Sequence, residues 1–115
     1  MKLSGYPHFL FRPLKEGKMA AFMTLLNFTE QGLHTVKDTV NRAQNFEKAF
    51  EAVGGRKIGV WWTLGQYDLV LISEAPDAET ATRLMLTLGM AGNVRSVTQQ
   101  IFSEDEMAKI VAGLP

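Results

Sequence analysis

A chain of 115 residues is long enough for one domain with a moderate core and too short for two. Its 46% hydrophobic and 21% charged residues describe a globular chain, and twelve basic residues scattered among twelve acidic ones argue against a nucleic-acid or anionic-lipid partner. The absence of cysteine excludes disulfides, thiolate metal clusters and a cysteine nucleophile, and fits a reducing, cytoplasmic setting.

Residues 1–17 carry no sustained period and are broken by prolines and glycines, which predicts an irregular arm ahead of a domain over 18–115. Tyr6, Phe9, Leu10 and Phe11 make that arm too apolar for a free tail, so it is expected to lie on the domain or on a neighbouring subunit. Pro7, His8, Arg12 and Pro13 interrupt the continuity that a secretory leader needs, and no apolar run approaches the roughly 18 residues of a membrane span. The glycosylation triplet at Asn27-Phe28-Thr29 is therefore read as coincidental.

The run MAAFMTLLNF, residues 19–28, is apolar on both faces and predicts a strand buried on both sides. After a loop at Thr29–Gly32, a helix of about five turns is expected, started by Thr35 and Asp38 in a capping-box relation and stopped by Gly54-Gly55. Val36, Val40, Ala43, Phe46 and Phe50 share its inner stripe, with His34, Asp38, Arg42 and Asn45 on the opposite side and Asp38–Arg42 spaced as an i,i+4 ion pair. Residues 56–64 alternate Ile58, Val60, Trp62 and Leu64 against Lys57, Gly59, Trp61 and Thr63, the pattern of a strand with unequal faces. A short loop at Gly65-Gln66 leads into residues 67–73, a second two-sided apolar strand, so the pair reads as a hairpin. Asp77 then caps a helix whose inner stripe is Ala81, Leu84, Met85 and Leu88, ended by Gly89 and Gly92. Residues 94–102 form the most polar strand, and Ser103 with Glu106 opens a short terminal helix.

The order β-α-β-β-α-β is the split βαβ, or ferredoxin-like, arrangement of an α+β domain, with the first and third strands central. Two helices cover one face of such a four-stranded antiparallel sheet. Because both central strands are apolar on the other face too, the open face is expected to pair with a second copy, giving a homodimer or a higher homo-oligomer.

Few residues carry chemistry. Glu47 falls about 20° from Val36 on the helical wheel, inside the apolar stripe, where a carboxylate is a weak candidate for proton transfer unless it pairs with Lys57 or Arg95. Trp61 and Trp62 point to opposite faces of their strand, one toward the core and one toward the open face; with Tyr67, Asp68 and His34 they are the candidate ligand-binding residues. The Gly65–Asp68 turn has a sufficient structural explanation as well, in backbone freedom at the glycine and local hydrogen bonding at the aspartate. His8 and His34 lack metal-ligand spacing, so neither a metal nor a cofactor is expected.

The stretches MTLLNFTEQGLHTVKDT, VGG and TLGQYDLVLISEAPD together resemble the GYD domain family over about residues 19–102. That resemblance implies a ferredoxin-like fold assembled as a dimeric α/β barrel, and no agreed activity. The Gly-Gln-Tyr-Asp turn is also similar to that of the amino-acid-binding domains of Lrp-type regulators, whose DNA-binding half this chain lacks. By analogy of fold alone, cofactor-free oxygenases and haem enzymes share this shape. The expected role is an oligomeric small-molecule-binding module, with a cofactor-free enzyme or a purely structural assembly unit as the alternatives.

Overall fold

In the first strand, β1 (Ala20–Phe28), Phe22, Thr24 and Leu26 are buried while Met23 and Leu25 are only partly covered, so one face is sealed and the other is not. The computed structural model to which β1 belongs describes residues 19–115; the arm expected at 1–17 lies outside the described residues. The remaining elements are α1 (Glu30–His34), a 3-10 turn (Val36–Asp38), α2 (Thr39–Ala52), β2 (Arg56–Trp62), β3 (Leu69–Ala75), α3 (Ala78–Met90), β4 (Val94–Ile101) and α4 (Glu104–Ala112). The strands form one antiparallel sheet in the order β2-β3-β1-β4, with the two doubly apolar strands in the middle as expected.

Leu26, Leu69 and Leu71 on the sheet meet Phe50 of α2 and Leu84 of α3 in the main core. Phe50 is 1% exposed, and Phe46 stands edge-on to it with ring centroids 4.8 Å apart. A smaller cluster of Phe22, Ala75 and Ala81 extends this layer to the far end of α3. On the other face, cross-strand register aligns Trp61, Val70, Leu25 and Val97 in one row and Gly59, Ile72, Met23 and Gln99 in the next. Trp61 folds back over Gly59, where an added Cβ would come within 2.6 Å of its ring.

The helix after β1 departs from expectation. It starts at Thr29, whose hydroxyl accepts from the Gly32 amide, and it is interrupted at Thr35 before α2 begins. Thr35 makes no side-chain cap; its hydroxyl is bonded to the Gln31 carbonyl and to Arg42. Gly32 made the segment look like a loop, yet it is buried against the α3–β4 turn, and an added Cβ there would lie 2.0 Å from the Asn93 carbonyl oxygen. Thr29 N donates to that same carbonyl at 3.0 Å. The close approach explains a glycine inside a helix.

Strand β2 also corrects the reading. The register shifts between Lys57 and Gly59, so Lys57 pairs with Ser73 and turns to the helix-covered face. One extra residue in a bulge reverses the facing of everything before it. Leu64, expected in the strand, is a fully exposed residue of the loop. Other expected caps and stops do form: Asp77 accepts from Thr80 N at α3, Ser103 and Glu106 complete a reciprocal capping box at α4, and Gly54 and Gly92 take positive φ, whereas Gly89 lies inside α3 and Asp38 makes no side-chain cap at α2.

Candidate functional site

A cavity of about 330 Å³ lies between α2, α3 and the sheet. Leu26, Leu69, Leu71 and Val60 form its floor, Phe46 and Ala49 one wall, and Leu88 and Val94 the other. Arg42, Asn45, Thr39, Thr87 and Asn93 add polar groups. The volume is at the small end of ligand pockets, and the mixture of apolar wall with a few polar groups is typical of them. It exists because the small side chains Ala43, Ala49 and Ala91 face the gap between the two helices.

Lys57, brought to this side by the β2 bulge, reaches Glu47 with Nζ to Oε1 at 3.1 Å. Its side chain is only 18% exposed. Glu47 therefore holds a structural ion pair, the alternative to its candidacy as a proton-transfer group. Arg42 and Asn45, placed by the helical wheel on the solvent side, instead line the cavity. Arg42 does not pair with Asp38: it donates from Nη1 to the carbonyl and hydroxyl of Thr35 at 2.9 Å each, and from Nη2 to the Gly32 carbonyl at 3.3 Å. The interruption at Thr35 swings Asp38 out of helical register with Arg42 and offers these oxygens in its place.

The two tryptophans do face opposite ways, but neither is in the core. Trp62 lies on the helix side and donates from Nε1 to Thr39 Oγ1 at 3.0 Å; Trp61 lies on the open face and is 51% exposed. Thr39 also lines the cavity, so Trp62 reaches the site through it.

Asp68 knits the sheet end together. Its Oδ2 accepts from Phe28 N at 2.9 Å and Asn27 Nδ2 at 3.4 Å, its amide donates to the Leu26 carbonyl at 2.8 Å, and its carbonyl accepts from Thr63 N at 2.8 Å. The Tyr67 carbonyl receives the Thr63 hydroxyl, and Gly65 takes φ +152° with nothing beside it. These contacts give the turn its structural role. His34 ends α1, exposed and 3.9 Å from Glu30, outside the cavity wall. The structure thus gathers Arg42, Lys57 and Thr39 at the cavity and leaves His34, Trp61, Tyr67 and Asp68 outside its lining.

A buried acid went unnoticed in the sequence. Glu74 is 4% exposed, opposite Arg56 and Ala21 on the open face, and its Oε1 and the Arg56 Nε are both buried without a hydrogen-bond partner among the described residues. Burial pushes its carboxyl up to about 7; Arg56 opposes the rise and Glu106 of α4 adds to it. Strand alternation would have placed Glu74 on the open face, but its burial depends on what surrounds that face, which no local pattern records.

Among the described residues no helix is long and apolar enough to cross a membrane. Residues 22–111 match the GYD domain. Over 81 residues the chain is 33% identical to the glutamine synthetase and cystathionine beta-lyase binding protein of Thermus thermophilus, covering 70% of this chain and 85% of that one. The crystal structure of MtbAldR shares the fold at a TM-score of 0.58 and 15% identity, over 74% of this chain and 52% of that one. The chain thus spans about half the length of that structural relative.

Proposed function

The chain belongs to the GYD domain family, and from that premise we propose that it is an oligomeric module that binds a small molecule between its helices and its sheet. The observation that carries the reading is the apolar cleft of about 330 Å³ between the two helices, open to solvent at Asn45, Thr87 and Ala91. Assembly is supported by the open face, where Trp61, Val70, Leu25 and Val97 form an apolar row and Trp61 and Val97 are 51% and 54% exposed. An apolar surface of that kind is rarely left to solvent. The reducing interior of a cell suits a chain without cysteine.

Filling the cavity tests the reading. Ala49→Phe places a ring in the gap between α2 and α3 and is expected to abolish binding of a neutral environment-sensitive fluorophore while the circular dichroism spectrum is unchanged. Equal fluorophore binding by both proteins would place the dye elsewhere and remove the cavity from the account.

The name of the Thermus relative favours a second reading, in which the ligands include other proteins. The two readings separate on the surface used: a protein partner engages exposed residues such as Trp61, Met107 and Ile110, and its binding would be insensitive to Ala49→Phe. A cofactor-free enzyme has less support, since Glu47 is committed to Lys57.

A further inference from the structure

We infer that the cavity takes an apolar monocarboxylate of about ten heavy atoms, its hydrocarbon body against the core side chains and its carboxylate at Arg42. This rests on the small-molecule reading above and names the ligand class. Both charged residues in the wall, Arg42 and Lys57, are cations, and no acidic side chain lines it. Lys57 already has a counter-charge in Glu47 at 3.1 Å. Arg42 has none: its three hydrogen bonds all go to uncharged oxygens, those of Thr35 and Gly32. Among the described residues no carboxylate lies within ion-pair distance of it.

A guanidinium carries five N–H donors in a planar fork. Three are engaged, so Nε–H and one N–H of Nη2 remain without a partner among the described residues. A planar donor fork matches a carboxylate better than it matches any single-atom acceptor. The existing bonds also hold the guanidinium in place before a ligand arrives, which lowers the entropy lost on binding. Asp38, the acid nearest to it in sequence, is exposed and is not part of the wall.

Size sets the rest of the molecule. At about 30 Å³ per water-sized group, a cavity of about 330 Å³ accommodates about ten heavy atoms. Around them stand Leu26, Phe46, Val60, Leu71 and Leu88, none of which offers a hydrogen bond. Thr39, Asn45, Thr87 and Asn93 add neutral polar groups to the wall. A ligand with one anionic end and an apolar remainder matches the Arg42 cation and the apolar side chains of this wall. A neutral alcohol leaves Arg42 unmatched, and an amine meets two cations.

The full chain is titrated with octanoate, octanol and octylamine near neutral pH, each displacing the neutral fluorophore phenylnaphthylamine. Octanoate is expected to displace it at least about tenfold more tightly than octanol, with octylamine the weakest. Arg42→Gln should lower the ratio of octanoate to octanol affinity most of the way to one, Arg42→Lys should keep part of it, and an undiminished ratio in Arg42→Gln overturns the inference. If the fluorophore binds but octanoate and octanol displace it equally, or octylamine prevails, the inference fails and the small-molecule reading stands. If no apolar probe binds at all, both fall. Retained fluorophore binding by Arg42→Gln also shows that a lost preference does not come from misfolding.

Discussion

Gly32 is the residue with the least freedom to change. A methyl group there would lie 2.0 Å from the Asn93 carbonyl oxygen, a backbone atom that cannot swing aside, so Gly32→Ala must separate α1 from the α3–β4 turn. The expected cost is about 3 kcal/mol, read as a fall in the denaturation midpoint. Glu47→Gln leaves the mostly covered Lys57 ammonium without its counter-charge and should destabilise by about 1 kcal/mol, a loss that a Lys57→Met, Glu47→Gln double variant recovers in part. Glu74 gives the chain a pH dependence. Its carboxyl titrates near 7 when folded and near 4.5 when unfolded, so the stability linked to the bound proton is complete below about 4.5 and is lost as pH rises toward 7. Wild-type stability should therefore fall between pH 5 and pH 8 by about 2 kcal/mol, and Glu74→Gln should flatten that part of the profile. An unchanged slope in the variant would assign the dependence to another group.

The elements show what the chain states locally and what it does not. Caps were legible because they need only residues a turn apart: Asp77 before α3, and Ser103 with Glu106 at α4. Ser103→Ala should cost α4 about 1 kcal/mol, visible as faster amide exchange from residues 104–112 and little change elsewhere. The sheet order was legible as well, because β1 and β3 are apolar on both faces and only central strands need to be. By contrast, the start of α1 at Thr29 was hidden because Gly32 argues locally against a helix, while the contact that requires it lies about sixty residues away at Asn93. The facing of Lys57 was hidden by the β2 bulge, although Lys57 is one of the two partners the sequence offers for Glu47. The cavity is the volume left between α2, α3 and the sheet, a product of three elements that no periodicity in one of them describes. A stripe counted from Val36 and Val40, which are exposed, sets Arg42 on the wrong side, whereas α2 turns Phe46, Ala49 and Phe50 inward.

At the scale of the molecule, the described residues place their helices α2 and α3 on one side of the sheet and leave apolar side chains exposed on the other. Trp61, Leu25, Val70 and Val97 lie in a row on the open face, and α4 exposes Met107, Ile110 and Val111 at the i, i+3, i+4 spacing of an apolar stripe. A helix of nine residues is not stable without something to pack on. A second copy would supply that layer for both features, and Trp61→Glu with Val97→Lys should then shift the protein toward monomer at micromolar concentration without unfolding it. The proposed assembly through this face leaves the cavity free on the opposite face of the same sheet. Sedimentation of the full chain with phenylnaphthylamine tests both together: the fluorophore should travel with a species of two or more protomers, at one molecule per protomer. A sedimenting monomer that leaves the fluorophore behind would contradict it.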